Sequence, residues 1–316
     1  MTSKECREHI SEHRSYLMGL AIIWIMIHHT FYFEMFDYGY FTFIAKIGSC
    51  GVDVFLFVSS FGLFYSFSKN SQLSRFFIRR ALRILPTFVL VMTGVVLLFS
   101  PMLMLKLGYW YRAFHDNWYI SFILIMYFCF PIFYYLQKKF MFLPFIVSVL
   151  LSAILTFFLI RIQRDNIHDV PMLMAQRLPI FACGMLFADN RFFYKVTVGF
   201  LIFVLLLTNV LLGVSYYTNA EYLVYPLFCI LTVSLVLLFS KYSCRIFDGI
   251  LKWIGSLSLE LYLIHMAVIP CVLSFYKGLT GVFFVFLLSF VFSVLVQYAT
   301  SYAMAPIYRY LDHELK

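Results

Sequence analysis

Two adjacent histidines, His28 and His29, lie deep in the apolar run from Leu20 to Phe33. An ionisable group inside a membrane segment is costly and needs a functional reason. A neutral imidazole suits a general base, which takes a proton from an attacking hydroxyl group. The alternative interpretation is a structural histidine that hydrogen-bonds between helices. No metal site is expected, because adjacent side chains on a helix point in different directions and no third ligand has the spacing of a zinc site.

The segment that carries these histidines opens at Arg14, fifteen residues before His29. A helix rises about 1.5 Å per residue, so His29 lies about 22 Å deeper than Arg14. At about 100° per residue, His28 and His29 both fall within about 60° of the Arg14 face. One of the two histidines can therefore share a lumen with Arg14, and the spacing from Gly19 favours His29.

Two carboxylates occupy apolar segments, where each needs a partner. Asp53 lies in the second apolar segment and can orient a histidine or pair with an arginine, and the structural pair is the favoured interpretation. Glu260 lies in the ninth apolar segment, with His265 five residues later. Glu260 can orient or polarise a catalytic imidazole or relay its proton. The alternative is a buried ion pair that locks the bundle.

Arg79, Arg80 and Arg83 form a dense basic cluster between two long apolar runs. On a helix, Arg79 and Arg83 are one turn apart on one face. Such a fork can bind a phosphate-rich anion through paired hydrogen bonds. The alternative is anchoring to anionic lipid at the inner membrane surface. A further polar group, at residues 115–119, is compatible with a sugar-binding platform or with an interfacial aromatic belt.

The elements that position these residues must form a membrane bundle. Of the 316 residues, 63% are hydrophobic and 12% are charged, whereas soluble domains are about half apolar and about a quarter charged. We predict an all-α polytopic bundle, a single domain over 1–316 without a fused extracytoplasmic domain. The net charge of +9 is spread over short connections, which indicates membrane topology rather than nucleic-acid binding. The seven cysteines lack paired spacing and are interpreted as buried thiols.

Ten apolar segments have about the 17 to 25 residues that are needed to cross a bilayer. They are 15–34, 41–67, 84–104, 118–137, 140–160, 172–189, 196–214, 222–240, 253–275 and 280–303. If all ten cross, seventeen of the 24 Lys and Arg residues lie on the side of the N-terminus. This excess of positive charge predicts that both termini are cytoplasmic.

Five blocks of sequence together resemble the acyltransferase 3 family of polytopic membrane acyltransferases. They are MIHH (26–29), GSCGVDVF (48–55), RRALRILP (79–86), LPIFACGML (178–186) and GSLSLELYLIH (255–265), in the family's order. The resemblance implies a multi-pass protein of the cell (inner or plasma) membrane that uses cytoplasmic acetyl-CoA or another acyl-CoA. The implied acceptor is a sugar hydroxyl on an envelope polymer or a lipid-linked glycan.

The resemblance also implies roles for single residues. The essential histidine of the family maps to His29, its RxxR motif to Arg80 through Arg83, and its ninth-span glutamate to Glu260. The family often has an arginine immediately before the first-helix glycine, and Met18 holds that place here. Arg14 lies one turn earlier and can substitute. Expected partners are acyl-CoA and membrane lipid but not nucleic acid, and a homodimer is compatible with the sequence.

These residues suggest a reaction in which the arginines hold the phosphates of acyl-CoA and the thioester is presented near His29. His29, supported by Glu260 or Asp53, then removes the proton from the acceptor hydroxyl. Direct transfer and an acyl-histidine intermediate both remain open. A different class of protein is a proton-coupled transporter or flippase of a glycan or anionic lipid, which would use the same intramembrane groups as a relay. Against it, the sequence has no evident inverted repeat.

Overall fold

The computed structural model describes residues 1–99, 107–162, 170–218, 223–242 and 245–314. Outside these ranges lie the predicted end of the third span at 100–104, Cys244 and three cations of the topology count, Lys106, Arg164 and Lys316. Within the described ranges the chain forms fifteen α-helices and two short 3₁₀ helices, and its only β-type pairing is the isolated bridge between Thr2 and Lys195. The predicted all-α fold is confirmed.

The helices, in chain order, are α1 Ser3–Glu12, α2 Arg14–Tyr32, α3 Thr42–Lys46, α4 Cys50–Lys69, α5 Leu73–Phe99, α6 Leu107–Asp116, α7 Trp118–Lys139, α8 Leu143–Ile162, α9 Val170–Gln176, α10 Leu178–Ala188, α11 Val198–Tyr217, α12 Val224–Lys241, α13 Arg245–Ser256, α14 Ser258–Leu273 and α15 Gly278–Glu314. The 3₁₀ helices are Gly39–Phe41 and Ile47–Ser49.

Nine helical segments of the described chain are long and apolar enough to cross a membrane. The pair Phe247–Ser256 and Ser258–Leu273, bent by 73°, becomes a tenth if it is counted as one span. Each of the ten predicted segments has its counterpart, and the ninth, which Glu260 and His265 interrupt, is the bent pair. The orientation of the termini stays a prediction.

One predicted boundary is wrong. The helix of the third span begins at Leu73 and not at residue 84, so the arginine cluster lies inside α5. Arginine is a good helix former, and its charge ends the apolar pattern without ending the helix. The predicted second span, 41–67, is confirmed as the helical segment Gly39–Lys69, whose first part consists of the two 3₁₀ helices and α3. This first part includes Gly48, where a Cβ atom would lie 2.6 Å from the Trp24 carbonyl oxygen.

The amphipathic helix α1 precedes the first span and was not predicted from hydropathy. Thr2 caps it, because the Thr2 hydroxyl accepts from the Glu5 amide at 3.4 Å while the Glu5 carboxylate accepts from the Thr2 amide at 2.8 Å. The Ser3 amide donates to the Tyr194 carbonyl at 2.9 Å. Arg7 donates to the carbonyl of Asp189 at 3.3 Å. These bonds tie α1 to the segment that follows α10.

The first of two compact units comprises Met1–Ala21, Ser49–Asn70 and Phe122–Gly255. Within it, α4 packs against α10 and α12. A Cβ atom at Gly184 would collide with Ser60 and with the Phe57 carbonyl, so α10 approaches α4 through a residue without a side chain. Gly19 of α2 and Gly255 of α13 meet in the same way. Small residues permit such close crossings in membranes.

The second compact unit comprises Ile22–Gly48, Ser71–Ser121 and Ser256–Lys316. Within it, α14 packs against α5 and α15, and α15 also packs against α5. This unit contains both histidines of α2, the arginine cluster, and the ionisable pair of α14. It therefore holds most of the residues that were predicted to carry chemistry.

Candidate active site

The imidazoles of His29 and His265 are joined by a hydrogen bond between helices α2 and α14. The distance from His265 Nε2 to His29 Nδ1 is 2.9 Å, and the ring centroids are 4.9 Å apart. The other nitrogen of His265, Nδ1, lies 2.7 Å from the carbonyl oxygen of Leu261. His265 is fully buried, whereas His29 is partly exposed. A reacting group can therefore approach His29 and not His265.

The hydrogen bonds assign the protons when both rings are neutral. A carbonyl oxygen only accepts, so His265 carries its proton on Nδ1 and donates it to Leu261. His265 Nε2 is then an acceptor, and His29 must carry its proton on Nδ1. The remaining nitrogen of His29, Nε2, has a lone pair. His29 is thus fixed as a base by a partner that is itself anchored to the backbone, the arrangement that activates nucleophiles in other enzymes.

His28, the neighbouring candidate, is engaged elsewhere. Its Nδ1 lies 3.1 Å from the carbonyl oxygen of Ala45, to which it donates. Gly48 lies against its Cβ atom, since a methyl group there would come within 2.9 Å. The ring of His28 stands edge-on to that of His29, with centroids 5.3 Å apart. The hydrogen bond to His265 Nε2 is made by His29, and it favours His29 over His28 as the base.

Glu260 lies one turn before Ile264 on α14 and its carboxylate is directed to α5. Its side-chain partners are the hydroxyl of Thr87, through a hydrogen bond, and the charge of Arg83. Its Oε2 atom is buried and has no hydrogen-bond partner among the described residues. Five residues on a helix correspond to about 500°, so Glu260 and His265 point to different faces. The structure joins Glu260 to the arginine cluster, and it joins His29 to His265.

Arg79, Arg80 and Arg83 all lie within α5. The RxxR motif that the family resemblance implies, Arg80 through Arg83, is therefore carried by one helix. Arg79 and Arg83 are exposed and Arg80 is partly buried. The Arg80 guanidinium stands over the Phe76 ring, 5.7 Å from its centroid. Stacking on an aromatic ring fixes the plane of a guanidinium group.

Asp53, in the first unit, forms a buried ion pair with Arg177. Its Oδ1 lies 3.5 Å from Nε of Arg177, and the two side chains are 4% and 2% exposed. The guanidinium also lies over the ring of Tyr225, 4.7 Å from its centroid. Arg177 precedes α10 and so joins that helix to α4. Of the two roles considered for Asp53, this geometry favours the structural pair.

We expect Asp53→Asn to lower the free energy of unfolding by about 3–5 kcal/mol, because the buried guanidinium of Arg177 loses its counter-charge. Arg177→Met should cost less, since the stranded carboxylate can take up a proton whereas a guanidinium cannot lose one. Thermal unfolding in detergent measures both. Equal losses from the two variants would contradict this assignment, and the double variant Asp53→Asn/Arg177→Met serves as the matched control.

Arg14 also belongs to the first unit. Its guanidinium lies against Gly62 of α4, where a Cβ atom would collide with it. Arg14 and His29 thus lie on one helix, α2, near its two ends. Whether they share a lumen stays a prediction.

His265 is the residue whose role was missed from sequence. It was noted as an ionisable group in an apolar segment, but its partner lies 236 residues away. No local pattern encodes such a contact. Tyr262 and Tyr119 extend the cluster, with ring centroids 5.9 Å from His265 to Tyr262 and 5.0 Å from Tyr262 to Tyr119. Tyr119 is buried, which places this part of the 115–119 group in the bundle interior.

Comparison with protein families gives one result that covers most of the chain. Residues 16–302 match the acyltransferase 3 profile, described as an acyltransferase domain. Comparison with curated proteins and with solved structures finds no significant match. The family match spans both compact units and every candidate residue except Arg14. The chain therefore belongs to the acyltransferase 3 family of membrane acyltransferases.

Proposed function

We propose that the protein is an O-acyltransferase of the cell membrane that moves an acetyl group from cytoplasmic acetyl-CoA to a hydroxyl group of a cell-envelope polysaccharide or glycolipid. The observation that carries this proposal is the hydrogen bond between His29 and His265. It supports a base at His29, and the acetyl donor and the sugar acceptor are inferred from the family resemblance.

In the proposed reaction, Nε2 of His29 accepts the proton of the acceptor hydroxyl as its oxygen attacks the thioester carbonyl. The new ester C–O bond forms and the C–S bond to coenzyme A breaks. The proton then passes from His29 to the departing sulfur, which leaves as the thiol. During the step, the developing imidazolium charge is stabilised by the lone pair of His265 Nε2, the acceptor of the His29 Nδ1 proton.

The arginines of α5 would bind the phosphate groups of the donor. Their cluster belongs to the same compact unit as His29, and charge-assisted hydrogen bonds from arginine to phosphate are strong and directional. Glu260 would help to hold Arg83 in place through the electrostatic attraction between them.

Arg80→Ala and Arg83→Ala should each raise the KM for acetyl-CoA by about ten- to a hundredfold, the loss expected for a hydrogen bond to a charged group. The kcat should change little, because the arginines act on the part of the donor that does not react. The measurement is turnover of radiolabelled acetyl-CoA by membranes that contain the acceptor. Arg161→Ala, which removes an exposed arginine from α8, is the matched control.

An unchanged KM in both arginine variants would remove the phosphate-binding role. A wild-type protein that neither binds nor consumes acetyl-CoA would contradict the proposal as a whole. That second result would favour transport of a glycan or anionic lipid, because a transporter has no use for the thioester.

A further inference from the structure

The end of α1 brings three potential metal ligands together outside the candidate active site. They are His9, Glu12 and His13, at positions i, i+3 and i+4, which lie on one face of a helix. One ligand atom from each lies within 4.8 Å of the others. The backbone amide of His13 donates to the His9 carbonyl at 3.0 Å. The helical hydrogen bond therefore continues to His13 and keeps the two imidazoles on one face.

The carboxylate of Asp248 lies close to the imidazole of His13. Nδ1 of His13 faces Oδ1 of Asp248, in α13, at 3.7 Å. The other oxygen of Asp248 binds Lys252 at 2.7 Å, which fixes the carboxylate. On its far side, Nε2 of His13 faces Glu12 Oε2 at 3.9 Å. At 3.7 Å the Asp248 carboxylate is an electrostatic neighbour of Nδ1 and not a hydrogen-bond acceptor. A carboxylate on this side of the ring favours the tautomer with the proton on Nδ1, in which Nε2 can bind a metal.

We propose that His9, Glu12 and His13 bind a divalent transition metal, with Zn²⁺ as the ion that fits best, and that Asp248 orients His13. Two imidazoles and one carboxylate are a donor set that zinc accepts, with a fourth position open to water. Zinc–ligand distances of about 2.0–2.2 Å require the three donor atoms to close to about 3.3 Å. The side chain of Glu12 is exposed, so its carboxylate can rotate towards the imidazoles, and the closure also requires rotation of the His9 or His13 ring.

A metal bound at this site would stabilise the turn between α1 and α2. α1 ends at Glu12 and α2 begins at Arg14, so His13 is the residue at the turn. Through Asp248, the metal site would also be connected to α13, whose Gly255 packs against Gly19 of α2. The inference is independent of the proposed enzymatic activity, because no residue of the His29 site takes part.

The test uses the protein purified in detergent without a polyhistidine tag and stripped with a chelator. Isothermal titration with ZnCl₂ should give one site in the micromolar range or tighter, and Zn²⁺ should raise the thermal unfolding temperature. His9→Ala and His13→Ala should each abolish both effects. Asp248→Asn should weaken binding by about 10- to 100-fold, as replacement of an outer-shell carboxylate does elsewhere. Titration with Co²⁺ adds an absorption spectrum that reports nitrogen and oxygen ligands.

The matched control is His115→Ala, which removes an exposed histidine outside the cluster and should leave zinc binding unchanged. Zinc binding that persists in both His9→Ala and His13→Ala would overturn the assignment. So would the absence of zinc binding to the wild type in the micromolar range. If Asp248→Asn bound zinc as tightly as the wild type, the orienting role of Asp248 would be refuted.

Discussion

Replacement of His29 by alanine should lower kcat for acetyl transfer by about 10²- to 10⁴-fold, the contribution typical of a positioned general base. The loss follows from the proton assignment, because His29 Nε2 is the lone pair that the hydrogen bond to His265 leaves available. The measurement compares acetylation of the acceptor in membranes that contain equal amounts of wild-type and variant protein. Thermal unfolding of the purified variant verifies that the bundle still forms.

His28→Ala is the matched comparison, since it removes the adjacent imidazole from the same helix. The hydrogen bond to His265 is made by His29, so His28→Ala keeps the imidazole pair and should lose far less activity than His29→Ala. Full acetylation by His29→Ala would exclude His29 as the base. A larger loss in His28→Ala than in His29→Ala would transfer that role to His28.

Replacement of His265 by phenylalanine should lower kcat by about 10²-fold or more while the KM for acetyl-CoA stays nearly constant. His265 is a positioning residue: it accepts the Nδ1 proton of His29 and holds the ring in the tautomer that leaves Nε2 unprotonated. Loss of the orienting group from a catalytic triad allows the wrong tautomer and reduces turnover by about 10⁴-fold. The phenylalanine ring fills a similar volume but offers no acceptor.

The conservative variant His265→Gln separates positioning from packing. Its amide oxygen can accept a hydrogen bond from His29 Nδ1, so part of the lost kcat should return. If phenylalanine and glutamine had equal effects and both lowered the unfolding temperature, His265 would have only a structural role. A rise in the KM for acetyl-CoA with unchanged kcat would also contradict the assignment, since it would indicate donor binding instead.

Hydropathy predicted the membrane spans because each span must bury about 20 apolar residues whatever its partners are. It did not predict α1, where Cys6 and Ile10 are fully buried among polar neighbours. Nor did it predict the 73° bend between α13 and α14. The bend follows Gly255, whose Cβ position is filled by the backbone of α2. Contacts of this kind depend on a distant helix and leave no periodic trace in the sequence.

The sequence predicted which residues belong to the candidate site, but it did not predict which of them pair with each other. The cost of intramembrane charge indicated that Asp53 needs a partner, and an arginine was among the two alternatives, but nothing local singled out Arg177. His29 was identified through its depth and the family motif, whereas Glu260 or Asp53, and not His265, was expected to support it. In the structure, the Glu260 carboxylate forms a hydrogen bond with Thr87 and interacts electrostatically with Arg83. Pairs between residues more than a hundred positions apart depend on how the helices pack. The sequence of a single segment does not contain that information.

The pair of imidazoles is anchored on the carbonyl of Leu261, so the chain of hydrogen bonds ends on a neutral group. Neither ring requires a counter-ion before or after the proposed reaction. The substrates, a thioester and an alcohol, and the products, an ester and a thiol, carry no charge at the reacting atoms. In the proposed reaction an acetyl group would move outward while a proton would move inward, an electroneutral exchange. The electrical potential across the membrane would neither drive nor oppose acetylation, which would draw its energy from the thioester alone.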